Sequence, residues 1–169
     1  MRLDEYIAAI ESAVGDPTNG LPQPVFDLLC RLTPMLNVDL LIRNERGETL
    51  LTWRHDELYL GWHIPGGVVR FKEQMADRVA AVAKAELGVS VRILKPDPVA
   101  ITQVIQPVRR ARGHFVSFLF ECELASPLDE TQRFEGGEPR DGQWAWHASY
   151  PPAMIGSHAM YRRFIERRS

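Results

Sequence analysis

The stretch Gly61-Trp62-His63-Ile64-Pro65-Gly66-Gly67-Val68-Val69-Arg70-Phe71-Lys72-Glu73, continuing to Ala85-Glu86-Leu87-Gly88-Val89, decides how this chain is read. Pro65 fixes its own φ and removes a main-chain donor, and two glycines follow it, so Ile64 to Gly67 is a backbone-special turn. Lys72 to Leu87 is patterned as a helix, and Gly88 stands where a C-cap glycine would. At about 100° per residue, positions 82, 85 and 86 fall on one side of that helix. They are Val82, Ala85 and Glu86, so one carboxylate stands there beside two apolar residues.

Outward from that stretch, strands alternate with a few helices. Leu3, Tyr6, Ile7, Ile10 and Val14 recur at helical spacing, and Gly15-Asp16-Pro17 ends that helix. Pro17, Gly20, Pro22 and Pro24 form a linker into a second helix over Val25 to Leu32, which stops before Pro34. Leu36 to Arg43 and Glu48 to Trp53 predict a hairpin about Asn44-Glu45-Arg46-Gly47. Val89 to Ile93, Ala100 to Gln106, His114 to Leu124 and Gln143 to His147 read as further strands, and Tyr161 to Arg168 as a C-terminal helix. Strands interleaved with helices predict an α/β layer fold with helices on a central sheet.

Composition narrows the functional classes. The chain has 169 residues, with 20 Lys+Arg against 22 Asp+Glu and a net charge of −2. That balance argues against a protein built to bind nucleic acid backbone, which needs a basic excess. Cys30 and Cys122 stand far apart, so a CxxC zinc or redox motif is excluded and a disulfide framework is not expected. No run reaches the 18 or so apolar residues of a membrane span. Met1 to Glu5 has early acids and no apolar core, so no signal peptide is read there. The expectation is a reduced, cytoplasmic, single-domain protein.

The quoted stretch resembles a Nudix box, G-x5-E-x7-R-E-U-x-E-E-x-G-U with U apolar. Gly67, Glu73, Glu86, Gly88 and Val89 fit, as does the Trp62-x-x-Pro65-Gly66-Gly67 lead-in. Ala81 and Val82 stand at the Arg-Glu positions, Ala83 at the apolar one and Ala85 at the first Glu of the pair. The resemblance implies an α/β fold, a Nudix-like mixed sheet sandwiched between helices, with an extra N-terminal helix. It covers residues 21–169 as the Nudix-like domain and leaves 1–20 as an N-terminal helical extension. In an ordinary box three carboxylates hold several divalent cations, which clamp a diphosphate and generate hydroxide to attack phosphorus. Glu86 alone holds at most one Mg²⁺, an ion that takes one or two carboxylates and completes its shell with phosphates and water. Glu73 lacks its usual Arg at position 81, and Arg78 is the candidate substitute.

A box depleted in this way is similar to that of the GDP-mannose mannosyl hydrolase branch, which also has Ala then Glu before Leu-Gly. Thr33-Pro34, the strand around Asp39 and the Gly47-to-Arg54 hairpin carry the same likeness. In that branch water displaces the diphosphate at the sugar's anomeric carbon, so no metal is needed to make the nucleophile. By the resemblance, the Gly67 carbonyl and Glu86 hold the metal, with Glu73 a third candidate and a plain helix-start acid as its alternative. Arg54 and Asp39 match catalytic positions. Arg54 and Arg70 bind the diphosphate, and Trp62 is a candidate stacking platform for a base.

One departure concerns the general base. The branch takes a His and a Gln from the loop before its last strand, whereas Asp129 to Asp141 here contains no His. Glu135, Glu138 and Asp141 are the candidate bases. The expected function is Mg²⁺-dependent (Mn²⁺ as an alternative) hydrolysis of a nucleotide sugar of the GDP-mannose kind, by a homodimer with no nucleic acid or membrane partner. Two alternatives stay open: conventional phosphorus attack, and a non-catalytic Nudix module that binds nucleotides. His63 alternates with Trp62 and is a candidate pocket residue, while His147 and His158 are read as peripheral. The Arg109, Arg110 and Arg112 cluster is read as a solvated loop, with a phosphate contact across a dimer as its alternative.

Overall fold

The computed structural model describes residues 2–166, so Arg167 and Arg168, the end of the expected C-terminal helix, lie outside the described residues. The elements run α1 (Leu3–Val14), α2 (Gln23–Leu32), β1 (Met35–Ile42), β2 (Thr49–His55), β3 (Leu60–His63), β4 (Gly66–Val68) and α3 (Met75–Leu87). They continue through β5 (Val91–Ile93), β6 (Ala100–Ile105), β7 (His114–Leu124), β8 (Trp144–His147) and α4 (Arg162–Ile165). Short 3-10 turns occupy Pro17–Asn19, Glu130–Gln132 and Gly156–Tyr161. The helical extension is therefore present, and none of its α1 side chains is buried. No helix among the described residues is long and apolar enough to cross a membrane.

The strands form two sheets flanked by helices. One has the order β4-β1-β7-β5, with β6 also on β7, and the other the order β3-β2-β8. β1 and β7 pair in parallel over the length of β1, and the other pairs are antiparallel. Here the hairpin expectation is corrected. The turn at Asn44 to Glu48 closes, but only an Arg43–Thr49 bridge joins the two strands before each enters a different sheet. A turn signal reports chain reversal, and the hydrophobic faces decide which neighbours the strands then choose.

Period-2 alternation in β1 separates two cores. Val38, Leu40 and Ile42 join Phe120, Cys122, Val79, Val82, Ala83 and Leu87 on the side covered by α3. Leu41 joins Leu51, Trp53, Trp62, Leu119, Tyr161 and Ile165 on the other. Asn37 and Asp39 share this second face, beside Ser117 of β7 and opposite Val68 and Gly66 of β4. The sheet thus carries polar groups on the face that α3 does not cover.

The α3 helix begins at Met75, three residues later than its pattern predicts, because Lys72 has a left-handed backbone with φ of 57°. Glu73 is consequently in a turn, where its carboxylate accepts two hydrogen bonds of 2.8 Å from Arg78 and one of 2.8 Å from the Arg70 N–H. Arg78 does substitute for the missing Arg. Burial pushes the Glu73 carboxyl up, but these bonds outweigh it and hold the group below the usual carboxylate range. At the far end Gly88 closes the helix in the left-handed region, φ 70°, donating back to Ala83 and Lys84.

The Glu73–Arg78 pair is mostly buried, with side chains 17% and 11% exposed. Truncating one partner of such a pair strands the other. Arg78→Ala is expected to cost about 3 kcal/mol in urea unfolding. A loss below about 0.5 kcal/mol, the scale of an ordinary surface change, contradicts this.

Candidate functional site

A cavity of about 290 Å³ opens on the polar face of the first sheet. Its floor is Asn37, Asp39, Phe115, Ser117 and Gly66 to Val68. Arg54, Tyr59 and His63 enter from β2, β3 and the loop between them, Phe26 from α2, Arg112 from the loop before β7, and His158 from the 3-10 turn.

Asp39 lies at the centre of the floor and is 2% exposed. Tyr161 donates a hydrogen bond to its Oδ2. Burial pushes the Asp39 pKa up to about 6, against the hydrogen bonds from Tyr161, Ser117 and Asn37 and the charge of Arg54. Its Oδ1 packs so closely on Gly66 that a Cβ at that position would stand 2.0 Å away. Glycine is required there by space, not by φ.

Glu86 approaches the same glycine from α3, and its Oε1 accepts from the Gly66 N–H at 3.4 Å. Arg54 Nη2 lies 3.3 Å from Oε1, Thr52 Oγ1 3.3 Å from Oε2 and His63 Nε2 3.5 Å from Oε2. Every contact is longer than the roughly 2.7–2.9 Å of a good charge-assisted hydrogen bond. Burial is the main cause that pushes the Glu86 pKa up to about 7, with the neighbouring Asp39 charge adding to it.

Proton counting explains part of this looseness. His63 Nδ1 lies 2.9 Å from the Ile64 carbonyl, so Nδ1 carries the hydrogen and Nε2 accepts. Thr52 Oγ1, 3.0 Å from that Nε2, has one proton to give and cannot also serve an ionised Glu86. Desolvation holds the His63 pKa well below the usual value, so the ring stays neutral. The His63–Glu86 approach is then no salt bridge.

Of the residues expected at the site, Asp39, Arg54 and Gly67 line the cavity, and Glu86 stands just behind it. Trp62 does not. It is 5% exposed and packs edge-to-face on Trp53, Phe134 and His147, in the second core. Strand alternation aims His63 at the cavity and therefore Trp62 away from it. Arg70 is exposed and lies outside the cavity, near Gly20. Glu73 is taken up by Arg78 and the Arg70 N–H. Glu138 is exposed outside the cavity, and Asp141 accepts the His55 N–H at 2.8 Å, tying its loop to the end of β2.

Three residues were missed. His158, read as peripheral, lines the cavity, because the chain returns to it after a long separation. Arg112 enters in its own chain, its guanidinium 4.9 Å from the Phe26 ring centroid. Phe26 itself is flagged by no spacing in the sequence.

The donor set fits one divalent cation and not several. Among the described residues no three His, Cys, Asp or Glu side chains cluster as a metal cage. Val82, at an expected carboxylate position, is buried in the α3 core instead, and a Cβ on Gly67 would meet its Cγ2 at 2.9 Å. The under-bonded, half-buried Glu86 carboxylate is the group an added cation would satisfy.

A family model for the NUDIX domain matches residues 33–162. Among curated proteins, the low-salt glycan biosynthesis protein Agl8 of Haloferax volcanii is 40% identical over 78 residues, 46% of this chain and 49% of the relative. The chain thus matches about half the length of that protein. Similar solved structures include a possible asymmetric diadenosine tetraphosphate hydrolase from Jonesia denitrificans, with TM-score 0.61 and 18% identity over 79% of this chain and 92% of that one. A MutT NUDIX hydrolase from Burkholderia pseudomallei gives TM-score 0.58 and 18% identity over 79% and 98%. These structural likenesses show the fold. With the box frame in place and the family model covering most of its length, the chain belongs to the Nudix hydrolase family.

Proposed function

We propose that this Nudix hydrolase cleaves a nucleoside diphosphate sugar of the GDP-mannose kind at the glycosyl C–O bond, releasing nucleoside diphosphate and free sugar. The observation that carries the proposal is the single carboxylate among helix positions 82, 85 and 86: Val82 is in the core and Ala85 has no ligating atom, leaving Glu86. In the ordinary box, attack on phosphorus uses several metals, which generate the hydroxide and clamp the attacking and leaving oxygens. Attack on carbon asks of a metal only that it stabilise the leaving diphosphate. The Agl8 likeness, to a protein named for glycan biosynthesis, supports a sugar-bearing substrate.

Nudix enzymes generally use divalent metals such as Mg²⁺. Held by Glu86 and the Gly67 carbonyl, one such ion would supply charge neutralisation for the departing diphosphate. Arg54 shares that work through charge-assisted hydrogen bonds. Phe26, Phe115 and Arg112 offer flat faces against which a nucleobase stacks. Asp39 replaces the loop acids as the water-activating carboxylate, since it lines the cavity and Glu138 and Asp141 do not. A water oxygen bonds to the anomeric carbon, the bond from that carbon to the diphosphate oxygen breaks with its electron pair, and the water proton passes to Asp39. A base with a pKa near 6 is ionised at neutral pH and still accepts a proton usefully.

Product analysis tests the proposal directly. GDP-mannose and related nucleotide sugars with Mg²⁺ are expected to give nucleoside diphosphate and sugar. Nucleoside monophosphate and sugar phosphate instead would overturn it, and tight binding without turnover would favour a ligand-binding module. Glu86→Gln is expected to lower turnover by about a hundredfold, the scale of removing a transition-state charge stabiliser. Near-normal turnover in that variant removes the metal site from the mechanism.

Asp39 also makes a stability prediction. Folding raises its pKa from 3.8 to about 6, so the folded chain holds a proton that the unfolded chain has released. Stability is therefore fullest below 3.8 and falls as pH rises to about 6. Glu86 extends the fall, between 4.5 and about 7. Asp39→Asn is expected to abolish turnover yet stabilise the metal-free protein at pH 8 by up to about 3 kcal/mol. Melting temperatures at several pH values check this; a less stable variant at pH 8 contradicts it.

A further inference from the structure

The cavity contains a histidine for which the proposed chemistry has so far found no use. His158 Nδ1 lies 3.3 Å from the Ile64 N–H, and a main-chain N–H can only donate. Nδ1 is therefore the lone-pair nitrogen, and the hydrogen of the neutral ring is on Nε2. Nε2 has no hydrogen-bond partner among the described residues, while the ring lines the cavity. The ring is gripped edge-to-face by His63, with centroids 5.7 Å apart, and by Tyr161, at 5.5 Å. Its tautomer and its plane are both fixed by neighbours that make no use of Nε2–H.

The groups around the ring decide what this donor meets. They are neutral His63, Tyr161 with its hydroxyl given to Asp39, and the guanidinium of Arg54 on the opposite strand system. Desolvation, followed by the Arg54 charge, pushes the His158 pKa down to about 3, so the ring is neutral at working pH and is no base. A histidine whose charged form is suppressed in this way acts as an electrophile, a neutral N–H donor that polarises an oxygen. A guanidinium and an Nε2–H in one cavity are both donors without lone pairs to offer. An anionic oxygen satisfies both at once, whereas a hydroxyl brings a proton of its own.

We propose, on the nucleotide-sugar reading above, that His158 is a diphosphate-binding residue whose fixed Nε2–H donates to a phosphate oxygen of the substrate and of the departing nucleoside diphosphate, beside Arg54. It does not transfer a proton. It replaces none of the box carboxylates, and it comes from the C-terminal 3-10 turn, Gly156–Tyr161.

The test uses the full chain with Mg²⁺ and GDP, UDP and ADP as probes. In ¹⁵N-imidazole spectra of the wild type, His158 is expected as the Nε2–H tautomer, with that proton moving downfield when the tightest probe binds. An Nδ1–H tautomer, or an Nε2–H signal that binding leaves unmoved, overturns the proposal without needing any variant. His158→Phe keeps the ring packing and removes the donor, and is expected to weaken that probe by roughly tenfold to a hundredfold, the worth of a hydrogen bond to a charged group. His158→Gln, whose amide reaches the same side, is expected to recover most of the loss. Equal affinity in wild type and His158→Phe overturns the role of His158 while leaving the nucleotide-sugar reading intact. Failure of the wild type to bind any of the three nucleotides overturns that reading, and this proposal with it.

Discussion

Two carboxyls, Asp39 buried and Glu86 half-buried, converge on the main chain of one glycine, and the rest of the site is arranged around that approach. Asp39 Oδ1 fills the space where a Gly66 side chain would be, and Glu86 Oε1 takes the Gly66 N–H. The convergence is possible because β4 pairs with β1 so that Gly66 stands opposite Asp39, while α3 packs on the other face of the same sheet. The Pro65-Gly66-Gly67 turn is thus less a flexible joint than a thin wall with an acid on each side.

Bringing two carboxyls so close in a dry region is costly, and both respond by holding protons to higher pH. What offsets the cost is large apolar cores on either side. One is centred on Val38, Leu40, Val79 and Val82, the other on Leu41, Leu51, Trp62 and Tyr161. Arg54 is the cation nearest both acids, yet its 3.3 Å contact to Glu86 is loose. On the proposed reading, a loosely held guanidinium beside an under-bonded carboxylate is poised to release to a diphosphate. In a function-bearing site the carboxyls give up stability that an apolar pair would keep.

Much of this was legible in the chain. The spacing from Gly67 to Gly88 marked the turn, the helix and its cap, and the apolar residues at 82 and 85 left Glu86 as the one carboxylate of that helix face. Arg54 and Asp39, singled out by the resemblance, both line the cavity. Other features depend on partners that spacing cannot name. Trp62 and His63 are adjacent on one strand, so they face opposite ways, and both could not line one cavity. That signal was present and pointed to the histidine. Arg78 pairs with Glu73 only because Lys72 takes a left-handed backbone and delays the helix. Phe26, Arg112 and His158 reach the cavity from three separate segments, and nothing local in any of them announces the meeting.

On the proposed reading, the site offers an arginine and a fixed imidazole to a diphosphate, one carboxylate to one metal, and a second carboxylate, with a pKa of about 6, that lines the cavity. Those parts suit departure of a diphosphate from carbon better than attack on phosphorus. Hydrolysis in ¹⁸O-labelled water separates these most directly. Mass spectrometry is predicted to find the label in the free sugar and none in the nucleotide product. Label in a phosphate group would contradict the account.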